Sequence, residues 1–592
     1  MDGNLSTAVL RILPRGQIIR FWVLILLVFF VSIIETTSIY LFLPLLDLLS
    51  DQAAAIEKTI HQNAINVFSL DTETYLLAFG LFVLAFSVFR FSAKAYLTVC
   101  QARFTKGIYV FVTTSLLNNY LRKGHKYYLE ENSSVILKHL TKETINFQTA
   151  ATALVALVTD AIVAVLIIIC LIVVDPVLAL FAVLFGSILM GSISKKLRSK
   201  TLDSGKQVEQ QTRNIYKVAS EALQSIDEVR LYGKQSYFTA KFSAFVERHA
   251  ENTMRGYLYK IFPGIIYQGA MVILLTLLIL YFAASTSDFT SIIPSFGFFA
   301  LALQRTSPAV SNIYQSIATI RHLRPGLQIV VDELTTSLHE DLSDDQRKME
   351  LSKEFGLRNA VFTYPGEGTP LINKLNISIN KETIVGIIGP TGGGKSTLIN
   401  LLSGQYQLDS GEIYVDGRTL VDQEILGLQN IISIVPQQVF ILDDTVSANI
   451  AFGIEGKERD EDRIWEVLKI AQMDDYIHSL PETIETVLGE RGTRLSVGQC
   501  QRLGIARALY RDPAILLFDE ATSAMDQKTE KQIMDCVHEL RGELTIVMIA
   551  HRLNTVEICD HIFVVENGSI TEQGDYAHLC REPYLQELLK LH

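Results

Sequence analysis

The 592-residue sequence predicts an all-α domain of six membrane-spanning helices fused to a globular α/β domain. Three observations carry that expectation. Long apolar runs with few charges fill the chain up to about residue 325, and beyond it charged residues, glycines and short alternating segments return. Six runs, near 21–46, 74–99, 149–174, 177–194, 259–283 and 289–307, are long enough to cross a hydrocarbon core of about 30 Å. The stretch ETIVGIIGPTGGGKSTLINLL then sets a β-like run, a glycine-rich loop and an apolar helical pattern in succession. The membrane domain is thus expected over 1–325, a linker over 326–350 and the globular domain over 351–592.

In the first run, Arg11, Arg15 and Arg20 precede apolar residues too numerous for a signal peptide, with no small-residue cleavage site, so the run is expected to stay as an anchor. The loop that follows carries Asp47, Asp51, Glu57 and Asp71, whereas the fourth run is followed by SKKLRSK. Positive charge stays on the cytoplasmic side, which places both termini in the cytoplasm. Ile56, Ile60, Ala64 and Phe68 form one apolar stripe in that first loop, either a surface-lying helix near 53–68 or a short helix packed on the bundle. Asp175-Pro176 marks a tight external turn between runs three and four. The stretches 100–148 and 195–258 are polar but helical in pattern, so spans two to five are expected to continue into the cytoplasm.

The net charge of -11 comes with no basic tract, which excludes a nucleic-acid binder. The six cysteines show no CxxC spacing, and four of them lie in the globular half, as in a reducing compartment.

In the globular half, Ile384 to Ile388 lead into Gly389, Thr391, Gly392, Gly393, Gly394, Lys395, Ser396 and Thr397, which fit GxxxxGK[ST] in a strand–loop–helix setting. Backbone N–H groups there turn toward phosphate, Lys395 reaches the terminal phosphates of ATP, and the Ser396 hydroxyl ligates Mg2+. Further on, ILLFDEATSAMD ends an apolar run in Asp519, placed for the magnesium shell, and Glu520, placed to orient or deprotonate the attacking water. His551 ends the next β-like run, LTIVMIAHR, where it can sense the γ-phosphate.

These residues resemble the ATP-binding cassette transporters, in the exporter class with six spans ahead of one cassette. The resemblance implies a type IV ABC exporter membrane domain fused to an α/β P-loop NTPase domain. It also implies adenine stacking by Tyr364, a Q-loop glutamine at Gln437 near magnesium, an X-loop at Glu490 and a D-loop at Asp526. RLSVGQCQRL matches the signature motif, so Ser496, Val497, Gly498 and Gln499 are expected to close on the γ-phosphate of a partner cassette. Val497 replaces a glycine and is expected to crowd that loop. With every motif on one chain, a homodimer is implied. The stretches 124–146 and 221–238 resemble loops that carry coupling helices.

Cargo must be read from the spans, which contain Glu35, Arg90, Lys94, Asp160, Lys260 and Arg305. An ionised side chain at membrane depth faces a cavity or a partner. Arg90 and Arg305 lie at similar levels, where they either bind an anionic headgroup, or snorkel, or pair with Glu35 and Asp160. Glu35 is either a hydrogen-bonded core residue beside Thr36 and Thr37 or a partner of Arg90. The stretches FFVSIIETTSIYLFLPLLDLLS, SVFRFSAKAYL, SSVILKHLTKETINF and LALQRTSPAVSNI resemble the PglK-type lipid-linked oligosaccharide flippases of the bacterial inner membrane. That implies a polyprenyl-pyrophosphate glycan as cargo, with Arg90 and Arg305 near the pyrophosphate. A related anionic lipid is the broader reading, and a multidrug, lipid A-like or peptide exporter is the alternative.

Overall fold

The structure is a computed structural model and describes residues 12, 14–41, 72–174, 176–285, 293–336, 349–489, 492–520, 527–550 and 553–579. It divides into two units, one of Met1–Arg122 with Glu131–Asp341, the other of Lys123–Glu130 with Leu342–His592.

Among the described residues, the first unit holds six long helices: α1 (Arg15–Tyr40), α2 (Thr72–Arg122), α3 (Thr144–Val174), α4 (Pro176–Gln224), α5 (Gln235–Ser285) and α6 (Ile293–Thr336). Among the described residues five helices, those holding α1 to α5, are long and apolar enough to cross a membrane. The sixth run falls on α6, although its residues 289–292 lie outside the described residues, as does the stripe at 53–68. At about 1.5 Å per residue, the 51 residues of α2 or of α5 extend roughly 75 Å, more than twice a hydrocarbon core. The polar stretches after runs two and four and before run five are therefore helical continuations of the spans.

Short helices, His125–Glu130 and Ser133–Lys138, and a π-helical turn, His139–Glu143, join α2 to α3. Another, Ile226–Leu231, joins α4 to α5. The sequence-based boundary at 325 falls inside α6, which runs on through Pro308 and Pro325 to Thr336. A proline does not end a membrane helix whose neighbours hold it in place. Gly326 follows because a Cβ there would collide with the Glu143 carboxylate, so α6 approaches the π-turn as closely as a backbone can. Gly264, beside Pro263 on α5, is likewise pressed against Ser311 of α6. For Gly264, within the spans, such close backbone approach supplies the attraction that water would otherwise provide.

The second unit contains two sheets. The first is antiparallel, in the order β2 (Ile372–Asn380), β1 (Glu354–Phe362), β4 (Ser410–Val415), β5 (Arg418–Thr419). The second runs β10 (Ser569–Gly574), β9 (His561–Glu566), β3 (Ile384–Ile388), β8 (Thr545–Ile549), β7 (Ile515–Phe518), β6 (Ile432–Val435), and only β10 is antiparallel to its neighbour. Every residue of β3, β7 and β8 is buried, the reason those strands read as unbroken apolar runs. Helices α7 (Lys395–Leu402) and α8 (Val497–Tyr510) complete the framework of the site. Lys123–Glu130 belongs to this second unit, with the His125 ring 5.0 Å from that of Tyr406.

Candidate functional site

Parallel strands β3 and β7 deliver their carboxyl ends to the same edge of the sheet, with β8 between them. An open parallel sheet places ligands there. After β3 the chain turns through Gly389, Gly392 and Gly394, with φ of +147°, +82° and +99°, and enters α7 at Lys395. A Cβ on Gly394 would lie 2.9 Å from Ile372 Cδ1, and one on Gly393 would lie 2.9 Å from the Val565 carbonyl oxygen. Side chains have no room at these two positions, so the loop presents backbone to a ligand, which suits phosphate.

The Lys395 ammonium is buried and donates to the carbonyls of Gly389 at 2.9 Å and Pro390 at 3.0 Å. Burial lowers its pKa, and the carboxylates of Glu520 and Asp519 push it back up. Lys395 thus faces the acidic pair although about 125 residues separate them in sequence. Ser396 and Thr397 open α7, and the Thr397 and Tyr364 hydroxyls share a hydrogen bond of 3.0 Å. The Tyr364 ring meets Phe362 edge-on at 5.2 Å.

Asp519 and Glu520 follow the last residue of β7, and the Asp519 N–H donates to the Val435 carbonyl at 3.0 Å. Glu520 takes φ +49°, a left-handed conformation that costs a non-glycine residue about 1–3 kcal/mol. Its Oε2 accepts from Gln437 Nε2 at 2.9 Å, which brings that amide onto the carboxylate. Gln501, absent from the sequence-based candidates, holds the Gln437 carbonyl through its Nε2 at 2.5 Å. Its only sequence signal is an amide on the buried side of α8.

The signature stretch opens α8. Ser496 Oγ accepts from the Gln499 N–H at 3.2 Å and Gln499 Oε1 accepts from the Ser496 N–H at 2.8 Å, a reciprocal cap that S-x-x-Q spells out. Val497, first residue of the helix and next to Gly498, is 60% exposed. Its side chain is exposed at the start of α8, on the face expected to meet a partner cassette. Substituting Val497→Gly is expected to change ATP turnover by less than about tenfold, upward if a closing partner is what the valine crowds. Steady-state ATPase measurement checks this. His551, Glu490 and Asp526 lie outside the described residues.

A second site lies in the helical unit. Glu35 is 7% exposed, and its Oε1 accepts from Lys94 Nζ at 3.0 Å and from Arg305 Nη1 at 3.2 Å. Among the described contacts Arg90 does not touch Glu35 directly; its Nη1 donates to Ser38 Oγ at 3.2 Å and its guanidinium lies 4.3 Å from the Phe91 ring centre. One helical turn explains the difference. Arg90 and Lys94 are four apart on α2 and Glu35 and Ser38 three apart on α1, so the two contacts stack and Lys94 takes the carboxylate. That spacing was the signal for Lys94. Glu35, Lys94, Asp160 and Arg305 line a cavity of about 370 Å³ with Ser32, Gln304 and Asn312, and Arg90 is not among its walls.

Residues 21–306 match the family description "ABC transporter transmembrane region", and residues 372–523 match "ABC transporter". An ATP-dependent lipid A-core flippase of Pseudomonas fluorescens (strain Pf0-1) is 30% identical over 492 residues, 81% of this chain and 80% of that protein. This chain belongs to the ABC transporters. Another ATP-dependent lipid A-core flippase, of Dechloromonas aromatica (strain RCB), is 34% identical over 411 residues, 68% of each chain. The solved structure "a bacterial Atm1-family ABC exporter with ATP bound" is similar in fold, with a TM-score of 0.78 at 21% identity over 97% of this chain and 98% of that one. The protein is thus an integral membrane ABC exporter of the type IV fold, which binds and hydrolyses ATP. These similarities do not set the PglK-type group apart from other flippases.

Proposed function

We propose that this ABC exporter flips a lipid with an anionic, phosphate-bearing headgroup across the bacterial inner membrane. The observation that carries this reading is the cavity in which Lys94 and Arg305, from α2 and α6, converge on Glu35 among apolar helices. Guanidinium and ammonium groups at membrane depth suit phosphate oxygens. A polyprenyl-pyrophosphate-linked oligosaccharide and a lipid A-like glycolipid share that chemistry; the first follows from the resemblance of the spans, the second from the names of the relatives. Both termini and the cassette are assigned to the cytoplasm.

In the cassette, Gly389 to Gly394 cradle the phosphates of ATP, Lys395 holds the terminal ones, and Tyr364 stacks on adenine. Ser396 and Gln437, with Asp519 behind them, are the residues that would hold Mg2+, which supplies charge neutralisation on the phosphates. Glu520 orients the attacking water and takes its proton, Gln437 fixes the Glu520 carboxylate, and His551 contacts the γ-phosphate. Ser496, Val497, Gly498 and Gln499 act on nucleotide held by a second copy, so the working unit is a homodimer.

The test is transport in proteoliposomes. Lys94→Ala with Arg305→Ala is expected to lower lipid-stimulated ATPase and flipping by about tenfold or more, as loss of a charge-assisted pair implies. Arg90→Ala is expected to act less, through packing of Ser38 and Phe91. Unchanged flipping of both a pyrophosphate-linked and a lipid A-type substrate in the double variant rules the reading out.

A further inference from the structure

The cations of the membrane cavity are opposed by carboxylates. Lys94 and Arg305 stand on its walls with Glu35 and Asp160, and Arg90 lies one turn from Lys94 on α2. The two wall cations are, moreover, already engaged by one oxygen, Glu35 Oε1, at 3.0 and 3.2 Å. Glu35 comes from α1 and is almost wholly buried, whereas the cations come from α2 and α6. Lys94 and Arg305 keep exposed donors, their side chains 53% and 37% accessible, so a phosphate that draws both cations to itself competes with that carboxylate and takes its place.

Replacement has a charge condition. The phosphodiester of an ordinary anionic phospholipid carries one negative charge, the same as the carboxylate it would displace, and gains no Coulomb energy from the exchange. A terminal phosphomonoester or a pyrophosphate carries close to two charges or more, with additional oxygens to accept from Lys94 and Arg305 together. We propose that Glu35 is a built-in counter-ion that sets a charge threshold, admitting lipids with a doubly charged phosphate and turning away the phosphodiesters that make up the surrounding bilayer. Arg90, one turn from Lys94 on α2 and bonded to Ser38 one turn from Glu35 on α1, is the cation toward which the displaced carboxylate can swing. The selectivity so obtained comes from an element that opposes the wrong ligand, not from a better fit to the right one. This inference rests on the reading of the cavity as the headgroup site.

The test uses the full-length protein and two probes with matched acyl chains: phosphatidic acid, a phosphomonoester, and phosphatidylglycerol, a phosphodiester. Lipid binding is read by native mass spectrometry, above the second ionisation of the phosphomonoester. Wild type is expected to prefer phosphatidic acid by about tenfold or more, and Glu35→Gln to bring that ratio below about threefold by gaining affinity for phosphatidylglycerol. Glu35→Asp, which keeps the charge, should keep the preference. A wild type without preference overturns the proposal, and so does a Glu35→Gln variant that retains it. If Lys94→Ala with Arg305→Ala loses both lipids while Glu35→Gln keeps its preference, the counter-ion idea fails and the headgroup site stands. If that double variant binds both lipids as well as wild type, the headgroup site itself is refuted.

Discussion

Replacing Glu520 by glutamine is expected to lower ATP turnover by about a hundredfold or more, the usual contribution of a positioned general base, while ATP affinity stays within a few-fold. Glutamine keeps the shape of the side chain and its contact with Gln437, now 2.9 Å away, but cannot accept the proton of the attacking water. The backbone gives an independent handle. At φ +49° Glu520 is strained, so Glu520→Gly should relieve about 1 kcal/mol and raise the thermal midpoint even as activity disappears. A residue whose removal stabilises the fold and stops the chemistry is not there for packing. Turnover in purified Glu520→Gln within threefold of wild type would contradict the assignment.

The second large effect is expected at a buried charge cluster of the helical unit. Lys138 is fully buried between α2 and α3, with Nζ 3.3 Å from Glu143 Oε1 and in contact with Glu209 Oε1 of α4. Glu143 is itself buried, accepts from Asn146 Nδ2 at 2.9 Å and abuts Gly326 of α6. Lys138→Met removes one charge and leaves the Glu143 and Glu209 carboxylates facing one another without a counter-ion. Loss of one member of such a set costs about 3–5 kcal/mol. The expected reading is a large fall in the thermal midpoint of detergent-purified protein and in folded yield. Adding Glu143→Gln and Glu209→Gln to Lys138→Met should restore much of the loss, because the neutral set has no unpaired charge to bury. A single variant as stable as wild type would show that water reaches the carboxylates.

This charged knot was hidden in plain text. SSVILKHLTKETINF was legible as a polar helical stretch with a family likeness, but the alternation of Lys138, Lys142 and Glu143 looks like any solvated helix face. Only the π-helical turn at His139–Glu143 and the close approach of Gly326 carry the Lys138 and Glu143 side chains inward.

What the chain determined by itself was local. The phosphate cradle needs a buried strand, glycines whose missing side chains let the loop close, and a helix starting at Lys395, all within 19 residues that contact one another. Short-range geometry of this kind is nearly context-free, so the motif could be read directly, as could the capping pair Ser496 and Gln499. The membrane charges are the opposite case. Arg305 meets Glu35 across 270 positions, and Lys94 meets it across 59. Which cation wins depends on the rotation of α1, α2 and α6 about their axes, and spans that are apolar on every side carry little periodic signal to set that phase. Lys94 rather than Arg90 became the partner of Glu35 because packing of three separate helices, not composition, chose the turn at which their polar faces meet.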